Sequence, residues 1–252
     1  MAENSKIEWT DHTLNLWWGC AKVHTGCKNC YAENLSKRFG DSVWGEKAPR
    51  KRIKTSFSNL AKYQRQAEEK NEIHKVFVGS MMDIFEDPKQ IQGEDYKGDT
   101  GSLRNYLFEL IEAGSFPNLV FLFLTKRPEN IKKYIPKSWE KKTPQNVWFG
   151  TSVSDQETVK YSDLLRYTNL PRLFLSIEPQ VGRIGLLNLT GIGWVIQGGE
   201  SGNKKRPFNF EWAASMQGYC NINKVPYFFK QIDKIQEVPS HLMVRQFPDF
   251  TL

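Results

Sequence analysis

The sequence predicts an α/β protein, a barrel or partial barrel of parallel strands built from six or seven strand–helix units. Three observations predict it. Short apolar runs recur along the 252 residues, helical patterns lie between them, and each run ends in polar or glycine-containing residues. Runs that are apolar at consecutive positions and rich in β-branched and aromatic residues fit strands covered on both faces. Alternation with helices implies parallel strands joined by right-handed crossovers. A single domain over 1–252 accommodates this, since α/β barrels of such length fold as one unit.

The first strand is read at Leu14–Trp18, with a cysteine-bearing loop and a helix at Tyr31–Phe39 after it. Gly40–Thr55 is basic and has no apolar periodicity, which marks an insertion. A polar-rich helix at Ser56–Asn71 leads to a strand at Lys75–Gly79. The second insertion covers Asp83–Thr100, closes on Gly101, and is acidic. Either insertion could serve as a lid or substrate loop. Ser102–Ala113 carries Leu103, Leu107, Leu110 and Ile111 at helical spacing, with Gly114 as its C-terminal stop. Further strands are read at Leu119–Leu124, Val147–Gly150, Arg172–Ser176, Trp194–Gln197 and Pro226–Phe229. Helices at Asp155–Tyr167 and Phe210–Asn221 separate the later ones.

Hydrophobic residues make up 39% and charged residues 25%, enough apolar surface for a core and too much for a disordered chain. No apolar stretch approaches the ~20 residues that span a bilayer. Met1–Glu8 is polar, without the apolar segment of a signal peptide, so a cytoplasmic location is expected. In that setting four cysteines point to metal binding or catalysis more than to disulfides.

Three of them stand together as Cys20, Cys27 and Cys30, in the pattern Cys-x6-Cys-x2-Cys. Three thiolates so placed can hold three irons of a 4Fe–4S cluster and leave the fourth iron free for a small molecule. Reductive cleavage of S-adenosylmethionine requires that arrangement, together with an electron donor. The rival is a tetrahedral zinc site of Cys20, His24, Cys27 and Cys30, and a third reading is inert thiols. Cys220, on a late helix, reads as a small buried hydrophobe.

Ligands bind parallel α/β folds at the carboxyl ends of the strands. Here those ends read Val78-Gly-Ser80-Met-Met-Asp83, Leu124-Thr-Lys126-Arg-Pro128, Phe149-Gly-Thr-Ser152-Val153, Leu175-Ser-Ile-Glu178-Pro179, Gln197-Gly198-Gly199-Glu200-Ser-Gly202 and Phe229-Lys-Gln231. Asp83 either accepts from a cofactor amine or caps the next helix. Lys126 and Arg127 can pair with a carboxylate or phosphate, or be solvated. Glu178 suits cofactor or substrate hydroxyls, against a structural ion pair. Gly198 and Gly199 allow close backbone approach to a ligand. Lys230 either faces the same mouth or partners a rim carboxylate.

The net charge is +7, partly concentrated in Lys47, Arg50, Lys51, Arg52 and Lys54 and in Lys204, Lys205 and Arg206. Such clusters can track phosphates or simply be solvated surface. DNA or another nucleic acid is therefore a candidate partner, and a non-enzymatic nucleic-acid-binding module with a structural metal is the alternative reading. The oligomeric state is not legible.

Ile7-Glu-Trp-Thr10, Gly19-Cys20, Gly26-Cys27, Cys30-Tyr-Ala-Glu33, Asp83-Ile-Phe85, Leu124-Thr-Lys-Arg-Pro128, Asn146-Val-Trp148, Leu175-Ser-Ile-Glu-Pro179, Gly198-Gly-Glu-Ser-Gly202, Arg206-Pro207 and Phe228-Phe-Lys-Gln231 occur in that order. In this the chain resembles the phage-associated three-Cys-motif family, which is related to radical S-adenosylmethionine proteins. The resemblance spans residues 7 to about 231. It implies a partial (β/α)6 barrel, a cluster loop after the first strand, and a role in DNA repair or nucleic-acid modification. The candidate cofactor contacts at the strand ends are Ser80, Asp83, Lys126, Ser152, Glu178, Gly198, Gly199 and Glu200. The chain departs from the common Cys-x3-Cys-x2-Cys spacing, and Asn29 rather than an aromatic precedes Cys30. The Gly-Gly-Glu element follows a late strand instead of the second, which leaves Ser80 and Asp83 to act there.

Overall fold

The computed structural model describes Ser5 and residues 7–93, 96–202 and 204–252. Met1–Asn4 and Lys6 of the polar N-terminus, Glu94 and Asp95 of the second insertion, and Asn203 lie outside the described residues.

Nine strands are numbered in chain order among the described residues. They are β1 (His12–Leu14), β2 (Trp17–Trp18), β3 (Lys51–Arg52), β4 (His74–Val78), β5 (Leu119–Thr125), β6 (Val147–Ser152), β7 (Leu173–Ile177), β8 (Ile192–Gly198) and β9 (Tyr227–Gln231). Seven of them form one sheet in the order β1-β4-β5-β6-β7-β8-β9, every pair parallel. The sheet curls into a half-barrel, so the fold class read from the sequence holds, with seven strands where the resemblance implies six. The first strand is corrected. Leu14–Trp18 does not run straight into the sheet, because the chain breaks at Asn15, whose amide oxygen accepts from Met81 N at 2.7 Å. Trp17 and Trp18 then pair with Arg52 and Lys51 in a separate antiparallel ribbon.

Helices are α1 (Tyr31–Arg38), α2 (Ser56–Lys70), α3 (Thr100–Glu112), α4 (Ile131–Tyr134), α5 (Lys137–Lys141), α6 (Lys160–Arg166) and α7 (Phe210–Ile222). The α3 helix starts two residues earlier than its apolar pattern, because Asp99 caps it by accepting from Ser102 N at 2.8 Å. A 3₁₀ turn at Gln156–Thr158, closed by an Asp155–Thr158 capping box, replaces the first part of the helix read at Asp155–Tyr167. No helix of the described residues is long and apolar enough to cross a membrane.

Two apolar layers use the two faces of the sheet. Leu14, Val76, Val78, Phe121, Phe123, Phe149, Leu175, Val195 and Phe229 pack outward against the helices. Phe77, Val120, Leu122, Trp148, Phe174, Trp194, Ile196 and Phe228 fill the inner face together with Trp9. Side chains alternate along a strand, so each inner row continues toward the carboxyl end by steps of two. Leu122 and Leu124 lead to Lys126, Phe174 to Ser176 and Glu178, Ile196 to Gly198 and Glu200, and Phe228 to Lys230. The rows pass from an aromatic floor to polar and charged groups at the mouth.

The insertions are not independent lids. Arg50 N donates to Gln90 O and Arg50 O accepts from Gln92 N, both at 2.8 Å, so the two segments join through backbone. Arg50 is fully buried and forms a bidentate pair with Glu86, with both N···O distances 2.8 Å. Its remaining donors reach the carbonyls of Val43, Gly45 and Ala48.

Candidate functional site

One cavity of about 240 Å³ opens at the carboxyl ends of the strands. At about 30 Å³ per water it has room for a small molecule and not merely a few solvent molecules. Cys20, Cys27 and Cys30 all line it, together with Lys126, Glu178 and Lys230. Residues from the loops after β1, β4, β5, β7 and β8 and from β9 and its exit therefore meet in one place, while the end of β6, which the strand-end pattern also sends there, does not line it. Trp9 and Phe77 form its floor, and Trp44 of the first insertion closes one side.

The cysteine loop is held from three directions. From the loop after β5, Arg127 donates to Ala21 O at 2.9 Å and reaches Cys20 Sγ at 3.8 Å. From the loop after β8, Arg206 donates to Thr25 O at 3.2 Å. From the loop after β6, the Asp155 carboxylate accepts from the Thr25 hydroxyl. Gly26 passes so close to this last loop that a Cβ there would stand 2.2 Å from Ser154 Oγ. Cys30 is the N-cap residue of α1, so the helix fixes the end of the cysteine loop.

None of the four cysteines is in a disulfide. Burial pushes the Cys20 thiol up to about 12, with Asp83 and Glu86 adding to the shift and Arg127 opposing it. A cation bound there would have to displace that proton. Among the described residues no three His, Cys, Asp or Glu side chains are gathered closely enough to hold a metal ion, and this applies alike to Cys20, His24, Cys27 and Cys30 as a zinc set and to the three cysteines alone. His24 instead turns Nδ1 to accept from Gly26 N at 3.0 Å. Burial, followed by the neighbouring Lys126 charge, holds this imidazole down to about 3 and hence neutral. Three free cysteines line this one cavity, and three thiolates are the donor number that holds three irons of a cubic cluster. The donor set fits the group.

The predicted cofactor residues divide. Ser80, Lys126, Glu178, Gly199 and Glu200 line the cavity. Ser152 and Gly198 do not; Ser152 is wholly buried at the end of β6. Ser80 Oγ accepts from Asn15 Nδ2 at 2.7 Å, which leaves its own proton for a ligand. Asp83 touches the cavity wall but is spent on the protein. One oxygen accepts from Thr125 Oγ1 and Phe85 N, the other from Lys126 N and Arg127 Nη1 at 2.9 Å. With both oxygens doubly bonded, Asp83 organises the loop after β5 and is corrected as a contact for a cofactor amine.

Each of the other two rim carboxylates also has a cation. Glu178 is paired with Lys230, and Glu200 forms a fork with Arg206, Nη2 to Oε1 at 2.6 Å. Asn29 adds a hydrogen bond to Glu200 at 3.0 Å. Burial raises the Glu200 carboxyl, but Arg206 and Asn29 outweigh it and leave it below the ordinary value. Gly199 also has a structural reason to be glycine. A Cβ there would stand 2.0 Å from Ile232 O, so the chain leaving β9 packs against it on one side while it lines the cavity on another.

The basic clusters are mostly engaged. Arg50 is corrected as a nucleic-acid contact, because it has no exposed surface. Lys51 pairs with Asp41 at 2.8 Å, the Arg52 guanidinium lies 4.6 Å from the centre of the Tyr96 ring, and Lys205 pairs with Asp233 at 2.7 Å. Lys54 and Lys204 are exposed. Lys22 and Lys234, exposed at the cavity mouth, have no periodic or motif signal that would single them out in the sequence. Ser176 does have one, two residues from both Phe174 and Glu178 on an inner row.

No curated protein and no solved structure matches the chain. A family model described as a protein of unknown function, DUF5131, matches residues 4–246. That covers nearly the whole length, and the chain belongs to this DUF5131 family.

Proposed function

We propose that the chain is an iron–sulfur enzyme of the radical S-adenosylmethionine type. Cys20, Cys27 and Cys30 would hold a 4Fe–4S cluster, and the open side of the cavity would take S-adenosylmethionine. Bound there, this pair supplies one-electron cleavage of a carbon–sulfur bond and a carbon radical that takes hydrogen from a substrate. The observation that carries the reading is the sharing of one cavity by all three cysteines and the rim residues of a parallel half-barrel.

The chain's own groups have distinct tasks. Arg127, Arg206 and Asp155 fix the loop that bears the sulfurs. The Ser80 hydroxyl donates, and the Glu178 carboxylate, steadied by Lys230, accepts. Trp9, Phe77 and Trp44 supply a low-polarity wall that limits water around a reactive intermediate. A nucleic-acid substrate is supported by the +7 charge and by the exposed Lys204 and Lys234, the second of them at the cavity mouth.

Anaerobic reconstitution with iron and sulfide, followed by paramagnetic resonance with and without S-adenosylmethionine, tests the proposal. A cluster signal that changes on adding the cofactor, with 5′-deoxyadenosine formed under a low-potential reductant, is expected. Replacing any of Cys20, Cys27 or Cys30 by Ser should abolish the signal, while Cys220→Ser keeps it, because Cys220 is buried between α7 and the sheet. An intact reduced cluster that leaves the cofactor uncleaved defeats the reaction. Binding to unrelated DNA sequences that weakens steeply with salt is expected for the substrate class.

A further inference from the structure

Every carboxylate that faces the cavity has its own cation: Asp83 has Arg127, Glu178 has Lys230, and Glu200 has Arg206. Lys126 is different. It lines the same cavity as the three cysteines, and among the described residues its ammonium has no carboxylate within ion-pair distance. Its backbone N is fixed to Asp83 Oδ2 at 3.0 Å, so its stem starts from a rigid point. A cation held in a half-buried wall without a carboxylate partner is costly unless an anion faces it. Among the described lining residues, the groups that would bring unbalanced negative charge are the three sulfurs, once they give up their protons to hold a cluster.

We infer that Lys126 is the resident counter-charge of the three-cysteine cluster and sets how readily that cluster accepts an electron. The inference rests on the iron–sulfur reading above. A 4Fe–4S core of charge 2+ on three thiolates carries a net charge of −1. Uptake of one electron from a low-potential donor makes it −2, with no bond broken and no proton moved. A fixed positive charge beside it stabilises the more negative state, and net charge is one of the main settings of such a potential. Lys126 is thus a positioning residue for charge and not a ligand.

The test is the midpoint potential of the reconstituted protein, read by paramagnetic resonance during a reductive titration. Lys126→Met and Lys126→Gln should lower the reduction equilibrium at least tenfold, about 59 mV for one electron, with iron and sulfide content unchanged. Lys126→Arg should restore the wild-type value. Loss of the cluster from both neutral variants but not from Lys126→Arg would equally support a required positive charge. Neutral variants that keep the wild-type potential, or Lys126→Arg behaving like Lys126→Met, would overturn the inference and leave the enzyme reading intact. Wild-type protein that takes up no cluster would remove both.

Discussion

Arg50→Met isolates the pair that joins the two insertions. Arg50 and Glu86 are 0% and 1% exposed, and removing the guanidinium strands a carboxylate that also accepts from Trp17 Nε1 at 3.1 Å. Losing one partner of a buried pair costs about 3–5 kcal/mol. The carbonyls of Val43, Gly45 and Ala48 lose a donor as well. For a chain of this length that range lowers Tm by roughly 6–20 °C. Burial already raises the Glu86 carboxyl, and without Arg50 it rises further. The native state then holds a proton that the unfolded state releases, so the deficit should be smaller near pH 5 and larger near pH 8. Thermal unfolding followed by circular dichroism at both pH values reads the effect. Arg50→Met combined with Glu86→Leu should recover much of the loss, since replacing both charges removes the stranded one. A single variant within about 1 kcal/mol of wild type, with no dependence on pH, would refute this account of the insertions.

Two further outcomes follow from the site. Glu200→Gln removes the charge from the fork that holds Arg206 and Asn29. Glu200 has a lowered carboxyl, so its contribution is present above the ordinary carboxylate range and lost as pH falls through its folded value. The variant should show a flatter fall in stability on acidification, measured by urea unfolding between pH 6 and pH 3, and an identical slope would exclude the role. Gly199→Ala forces a Cβ against Ile232 O and should destabilise by about 1–3 kcal/mol. The same loss should appear with and without S-adenosylmethionine; a variant of normal stability that has lost only cofactor binding would leave this glycine the ligand role alone.

The fold was legible where burial alone determines the pattern. Leu119–Leu124 and Trp194–Gln197 read as strands because both of their faces are covered, and the strands observed extend each by one to three residues. Trp17 and Trp18 misled for the same reason: they are apolar and follow Leu14, but the polar Asn15 between them is buried and ties the chain to Met81. Apolar periodicity registers burial and is blind to which neighbour does the burying. The α3 start was missed because Asp99 acts through one hydrogen bond, outside the apolar face.

At the site the limit is of another kind. In the sequence Asp83, Glu178 and Glu200 have no charged neighbour, and each looks available for a ligand. Their partners stand 44, 52 and 6 residues away in the chain; the first two pairings are set by the packing of the sheet and the third by the course of the loop after β8. Arg50 failed in the opposite sense: within a run of basic residues it looks like surface, yet it is the one buried to satisfy Glu86. A charge run carries no record of which member turns inward. Once the pairs are drawn, most of the formal charge at the mouth cancels locally. Among the described residues, what is left unpaired in the cavity wall is three sulfurs and two ammoniums, the half-buried Lys126 and the exposed Lys234. Chemistry at this mouth is therefore to be sought where the protein leaves charge unmatched, since every matched group is already bound to its neighbour.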